Sequence, residues 1–440
     1  MEDSIIMKNW KEYYDSILRT PDEAVRLVPD GCRILVGGST ARPMRLMQAL
    51  VENAEHFHNV RIMHGLSHGW EDYCDASMKD HFTHESLFAT KNTRAALAEG
   101  RAEYVPCFYY ELPDAFTSGI IPIDVFMFQA TPPNAYGYCS CSLNADIIQE
   151  SVDAAKLVIV QINPNLPWSS GPDCLVHVSR IDCAVEAASP LATIPIPEIT
   201  ETERIIGEYC ASLVNDGDTL QIGIGSIPDA VCHALTDKKD LGIHSEMISD
   251  GVMDLWRSGA ITDLKKSTHR GVMYASFAMG SQKLYDFIDN NPAVELAGIK
   301  KVNHPFEVAK CANLVSINSC IEIDLMGQIV SSSYGHRIIS GAGGQLDFMS
   351  GARMALDGNA RAIIAITSTH TKNGKTMSRI KPLITEGSSV TATREFTDYV
   401  ITEYGIARLR GLSLRDRAEE LIRISHPDFR DELRASLERK

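Results

Sequence analysis

Short, nearly unbroken apolar runs recur along the chain, each closed by a glycine or a turn residue. Arg33-Ile-Leu-Val-Gly-Gly is the first and Val60-Arg-Ile-Met-His-Gly the second; Asp124-Val-Phe-Met-Phe-Gln-Ala and Lys156-Leu-Val-Ile-Val-Gln-Ile follow. Strands covered on both faces read this way, and parallel sheets are covered on both faces. Helical patterns lie between and before them. Trp10 to Leu18 is one; Pro21-Asp-Glu-Ala-Val is another, with proline at a first-turn position and acids behind it. Pro43 starts a third, directly after the glycine turn at Gly37-Gly38. Strand, glycine turn and helix in that order open a β-α-β unit.

Near residue 190 the texture changes. Ser189-Pro-Leu-Ala-Thr-Ile-Pro-Ile-Pro-Glu is proline-rich and extended, which suits a linker. After it the first pattern restarts. Thr202 to Val214 reads as an amphipathic helix, Asn215-Asp-Gly-Asp as a turn, Thr219-Leu-Gln-Ile as a strand, and Ile227-Pro-Asp-Ala-Val as a helix start. Later strands are expected at Leu314-Val-Ser-Ile-Asn, Ala362-Ile-Ile-Ala-Ile and Tyr399-Val-Ile-Thr, and an amphipathic helix from Leu414. The fold class is therefore α/β: two related open α/β domains with largely parallel sheets, residues 1–190 and 191–440.

Composition narrows the function. At 440 residues and a formal charge of −15, the chain has room for a large core but lacks the basic face a general nucleic-acid binder needs. No run is apolar for long enough to span a membrane, and the acidic start does not read as a secretory signal. Eleven cysteines sit scattered in apolar contexts. No partner pattern follows Cys139-Ser-Cys141, so they read as reduced side chains of a cytoplasmic protein, with no metal site. His64, His68, His81 and His84 have no regular metal spacing and read as hydrogen-bonding or surface residues.

Candidate chemistry gathers in the second half. Gln221-Ile-Gly-Ile-Gly-Ser-Ile-Pro-Asp joins a strand to a helix that Ser226 can cap and Pro228 starts, and a helix N-terminus suits a phosphate or a developing oxyanion. No Gly-Lys-Ser/Thr follows, so it is not a P-loop. Ser340-Gly-Ala-Gly-Gly-Gln-Leu-Asp-Phe is denser in glycine and precedes no obvious helix, a composition that lets a ligand or another backbone come close. Between these loops, Leu241-Gly-Ile-His-Ser-Glu-Met-Ile-Ser-Asp-Gly puts Glu246 before an Asp-Gly turn signal. By residue type alone, such a carboxylate is more often solvated or capping than catalytic. Lys372-Asn-Gly-Lys375, with Arg379 and Lys381 beyond, is a basic turn in an acidic protein, either solvated or gripping phosphates.

Together these segments, with Ser378-Arg-Ile-Lys-Pro-Leu and Val400-Ile-Thr-Glu-Tyr-Gly-Ile-Ala, closely resemble the acetyl-CoA hydrolase/transferase family, and within it the 4-hydroxybutyrate CoA-transferase-like members. The resemblance spans nearly the whole chain and is densest from about 200 to 425. It implies an active site between two α/β domains, a homodimer or homotetramer, and a CoA-transferase acting on acyl-CoA and small carboxylates with no tightly bound cofactor. It implies that Glu246 attacks the thioester. It assigns the coenzyme and oxyanion region to Gly223, Ile224, Gly225, Ser226, Ile227, Ser340, Gly343 and Gly344, with Lys372 and Lys375 as coenzyme contacts. Gln221, Asn303 and Glu403 fall near the acyl group.

One place departs from those relatives. Where they tend to carry Gly-His-Ala-x-Gly-Glu-Pro, this chain reads Gly37-Gly-Ser-Thr-Ala-Arg-Pro43. If that turn faces the acid, Arg42 replaces a carboxylate with a guanidinium suited to a bidentate carboxylate, which points to a dicarboxylate such as itaconate or succinate. A structural Arg42 is the competing reading. The alternatives to that activity are a 4-hydroxybutyrate or butyrate:acetyl-CoA transferase, an acyl-CoA hydrolase using the same Glu246, and a non-catalytic CoA-binding protein, which the presence of Glu246 and both loops argues against.

Overall fold

A computed structural model describes residues 9–39 and 42–437. The chain folds as two compact units, Met1–Ile194 with Ala275–Lys301, and Pro195–Tyr274 with Val302–Lys440. The expected single crossing near residue 190 therefore needs one amendment. Ala275–Lys301 returns to the first unit, where Ala145 N donates to Ser276 O, Leu296 N to Ser170 O and Ile299 N to Asp146 O. Such a return is invisible to local pattern, because those backbone bonds join residues more than a hundred positions apart.

The first unit is built on seven strands: β1 Arg33–Val36, β2 Val60–His64, β3 Phe82–Ser86, β4 Ala102–Tyr104, β5 Val125–Ala130, β6 Leu157–Ile162 and β7 Cys183–Glu186. Their order is β4-β3-β2-β1-β5-β6-β7, all neighbours parallel. Alternate residues feed two cores. Leu35, Phe126, Phe128 and Val160 pack on one face, and Ile34, Val36, Val125, Met127 and Ile159 on the other. Both faces are covered, which is why the strands read as continuous apolar runs. The chain reverses its direction of travel across the sheet between β1 and β5, and the turn at Gly37 leaves β1 at that point. A side chain at Gly37 would stand 3.0 Å from Phe128 Cβ.

The largest sheet of the second unit has six strands: β8 Thr219–Ile222, β9 Gly242–Ile243, β10 Leu314–Asn318, β11 Arg361–Ala365, β12 Tyr399–Thr402 and β13 Gly405–Arg408. Their order is β9-β8-β10-β11-β12-β13, parallel except for the closing β12–β13 hairpin. Here the reversal falls between β8 and β10. Open α/β sheets bind ligands beyond the carboxyl ends of the strands at such a point.

Three local expectations change. The glycines at 341–344 lead straight into the helix Gln345–Arg353, with Gly344 as its N-cap. The helix was hidden because it is buried on several sides and contains Gly351, whose hydrogen faces Val308, where a Cβ would come within 2.3 Å of Cγ1. Asp250-Gly251 is the first turn of the helix Asp250–Arg257 rather than a reverse turn. The helix after the first glycine loop begins at Ser226 with Gly225 as N-cap, and the Ser226 hydroxyl donates to Glu203 instead of capping.

Candidate active site

Glu246 sits three residues beyond β9 on a segment fixed from several sides. His244 N donates to Leu220 O at 3.1 Å and Ser245 N to Tyr274 O at 3.0 Å. The Ser245 hydroxyl donates to Ile222 O at 3.0 Å, tying the residue before Glu246 to the end of β8. Behind it, the buried Lys266 ammonium donates to Ile243 O at 2.6 Å, and Asp263 accepts from Ile243 N at 2.7 Å. His244 is fully buried, with Nε2 2.8 Å from Val302 O. Burial pushes its pKa down to about 3, so the ring is neutral and Nε2 carries the hydrogen. That bond fixes the backbone next to Asn303.

Asn303 and Gly344 are the sequence-assigned residues brought to Glu246. The Asn303 amide nitrogen donates to Glu246 Oε2 at 2.8 Å. Its second hydrogen serves Asp347 Oδ2 at 3.3 Å. Gly344 packs so closely that a Cβ would lie 1.9 Å from Glu246 Oε2 and 2.3 Å from Asn303 Nδ2. Glycine is required here for space, since its φ of −87° is open to other residues. Glu246 itself stays partly exposed. The arrangement is a carboxylate bonded by a buried amide with a backbone pressed against it, which suits an aimed nucleophile.

The glycine loop after β8 lines a cleft of about 230 Å³ with Ile317, Asn318 and Ser319 from the end of β10. Gly223, Ile224, Gly225, Ser226 and Ile227 all contribute. The cleft lies at the sheet's reversal point, and the N-terminus of the helix Ser226–Ala234 heads it. Gly225 has φ 119°, a conformation other residues rarely adopt. Gln221 is buried beneath, its side-chain oxygen accepting from Ser316 Oγ at 2.5 Å and Asn318 Nδ2 at 3.0 Å. Gln345 reaches the cleft wall by donating to Ser319 O at 2.9 Å. One helix start thus borders both Glu246 and the cleft.

The other assigned residues have local partners of their own. Ser340 donates to Ser331 O at 2.9 Å, and Gly343 takes φ 53°. Lys372 and Lys375 are exposed and paired across the tip of the hairpin Thr369–Lys372/Lys375–Ser378, whose turn is Asn373-Gly374 with φ 52° and 75°. Glu403 accepts from Ser368 N at 2.9 Å and Ser368 Oγ at 2.6 Å. Arg42 belongs to the first unit and is 1% exposed. Its guanidinium pairs with Glu71 at 3.0 Å and donates to Trp70 O, while Glu71 also accepts from Ser67 and Thr90. An internal carboxylate and a backbone carbonyl therefore already take the two terminal nitrogens expected for a substrate acid. His64 and His84 are buried and stacked at 4.3 Å, His81 binds Phe57 O, and His68 is exposed.

Reading from sequence missed Asp347, His244 and the Asn318-Ser319 wall. Asp347 had a usable signal, because it follows the glycine loop at the third helical position, where acids favour a helix N-terminus. The eleven cysteines are thiols rather than disulfides, and all but Cys107 are buried. Among the described residues no group of His, Cys, Asp and Glu could hold a metal ion, and no helix is long and apolar enough to cross a membrane.

Residues 3–195 match the acetyl-CoA hydrolase/transferase N-terminal domain, and residues 280–437 match the C-terminal domain of the same family. Over 424 residues the chain is 47% identical to the 4-hydroxybutyrate coenzyme A transferase of Clostridium kluyveri, covering 96% of this chain and 98% of that one. It is 40% identical over 431 residues to the succinyl-CoA:cyclohexane-1-carboxylate CoA transferase of Geobacter metallireducens, covering 97% of each. Among solved structures, RipA from Yersinia pestis superposes with a TM-score of 0.91 at 33% identity, covering 98% of both chains.

Proposed function

Because the chain belongs to the acetyl-CoA hydrolase/transferase family, we propose that it transfers CoA between an acyl-CoA and a small carboxylic acid, with Glu246 as the covalent nucleophile. The observation that carries this reading is the Glu246 carboxylate held at 2.8 Å by Asn303 against the Gly344 backbone. A carboxylate in water is a weak nucleophile, and a fixed hydrogen bond from a buried amide aims it.

In the first half-reaction Glu246 attacks the acyl carbonyl. The carbon–sulfur bond breaks, giving an acyl-glutamyl anhydride and CoA thiolate. The thiolate attacks the glutamyl carbonyl of that anhydride and the first acid leaves as its carboxylate. A glutamyl-CoA thioester remains. The second acid reverses the order: its carboxylate attacks the thioester, thiolate leaves, and thiolate then takes the new acyl group and frees Glu246. No net proton or electron is exchanged. Each tetrahedral intermediate carries an oxyanion, and removing one well-placed donor costs about 10²–10³ in rate. The cleft at the β8–β10 reversal point supports a site for one segment of the coenzyme, whose distant binding energy can hold the reacting atoms together.

For the acid we propose a short carboxylate of the kind named for the relatives, such as 4-hydroxybutyrate, butyrate or acetate. A dicarboxylate held by Arg42 is disfavoured, because Glu71 already neutralises that guanidinium.

The experiment is trapping. With acyl-CoA present, hydroxylamine or borohydride should inactivate the enzyme and mark Glu246 by peptide mass, and initial rates should follow a ping-pong pattern. A mark on another residue would reject the assignment. Release of free CoA without an added acid would identify a hydrolase instead.

A further inference from the structure

We propose that Asp347 is a positioning residue: acting through the Asn303 carboxamide, it keeps an N–H aimed at the Glu246 carboxyl through every stage of the transfer. This rests on the reading of Glu246 as nucleophile. Asn303 is fully buried. Its two amide hydrogens go to two carboxylates, Glu246 Oε2 at 2.8 Å and Asp347 Oδ2 at 3.3 Å. Its carbonyl oxygen is buried with no hydrogen-bond partner among the described residues. Nothing on the oxygen side holds the group, so its orientation depends on the acids facing the nitrogen.

A carboxamide has nearly the same shape when turned end for end. Turned over, it would present Oδ1 to two carboxylates, which repel it. While Glu246 is ionised, both acids favour the observed orientation. Once Glu246 is acylated or bound to CoA it carries no charge and accepts a hydrogen bond more weakly. Half of the constraint is then gone, at the stages when a donor must still meet an oxyanion on the Glu246 carbonyl. Asp347 takes no part in the bond changes, so its hold on the amide persists. It is 1% exposed and stands at the third position of the helix Gln345–Arg353, whose N-terminal partial charge favours a carboxylate there. The same helix start places Gly344 against Glu246, so one element sets both the backbone and the amide donor.

The test is a cycle of Asp347→Asn, Asn303→Ala and their combination, with kcat, KM for acyl-CoA and melting temperature measured on each. Asp347→Asn keeps the shape but offers the carboxamide a donor as well as an acceptor, so the orientation is no longer fixed. The expected result is a fall in kcat of about 10- to 100-fold, the scale of a misaligned group, with KM unchanged. The combined variant should be no slower than Asn303→Ala, because groups acting as a unit are not additive. Wild-type kcat in Asp347→Asn, a rise in KM alone, or losses that multiply in the combined variant would each overturn the proposal. If Asp347→Asn does not fold, Asp347→Ala, which removes the acceptor outright, carries the same comparison with the same outcomes. Hydroxylamine marking of Glu246 in the unmodified enzyme separates the two claims. Absence of the mark rejects the nucleophile and this proposal with it; a mark with an indifferent Asp347 rejects this proposal alone.

Discussion

Gly344→Ala adds one methyl group where the backbone comes closest to Glu246. The new Cβ would stand 1.9 Å from Glu246 Oε2, 3.1 Å from its carboxyl carbon and 2.3 Å from Asn303 Nδ2. Non-bonded heavy atoms rest ~3.5 Å apart, so Oε2 must retreat by roughly 1.5 Å. Alanine accepts the backbone conformation, φ −87° and ψ 2°, so the effect is one of space alone. Retreat breaks the 2.8 Å bond from Asn303. A hydrogen bond to a charged group is worth about 1.5–3 kcal/mol. A displacement of about 1 Å at the reacting group can cost about 100-fold in rate. We expect kcat to fall by about that factor or more, while overpacking costs about 1–3 kcal/mol of stability and the variant stays folded. The assay is CoA exchange between acetyl-CoA and a labelled acid, with hydroxylamine marking of Glu246 and a thermal melt in parallel. A folded variant with wild-type kcat and undiminished marking would refute the geometry on which the nucleophile assignment rests.

Three further outcomes are expected. Gly223→Ala has open space at its Cβ, so melting temperature should hold while KM for acyl-CoA rises; an unchanged KM would exclude that loop from the coenzyme site. Arg42→Met leaves Glu71 buried without its cation and should lower unfolding free energy by about 3–5 kcal/mol in urea titration. A midpoint equal to wild type would show that Ser67 and Thr90 suffice to hold Glu71. Burial, then the neighbouring Asp250, raises the Asp229 pKa to about 6. The unfolded value is about 3.9, so the folded form binds the extra proton and stability falls as pH rises from about 4 through about 6. Asp229→Asn should remove that fall and raise the melting temperature at neutral pH; identical pH profiles would show that Asp229 does not titrate in that range.

The strands of both sheets were legible because both faces are covered, as in Val125–Ala130, where every residue is buried and only Gln129 is polar. The restart after residue 190 was legible for the same reason: a second sheet repeats the same local demands. The helix Gln345–Arg353 was not, because burial on several sides erases the polar stripe that marks a surface helix. The Asp-Gly pair at 250–251 misled because the glycine serves packing. Its missing side chain makes room for Asp229 and Cys232, which a Cβ would approach to 2.9 and 3.2 Å.

By itself the sequence determined the α/β class and the two glycine loops, while Glu246 stood out only through the resemblance to a family. Those features depend on neighbours along the chain: alternating burial, turn chemistry and short motifs. Only the tertiary structure decided which groups meet Glu246. Asn303 and Gly344 lie far from it in sequence, and sheet order together with one helix start brings them to it, with Asp347 behind Asn303. The fate of Arg42 was decided the same way. The sequence left Arg42 open between a grip on a substrate acid and a structural role, and its burial against Glu71 favours the structural one, because a charge inside a core must find its partner there.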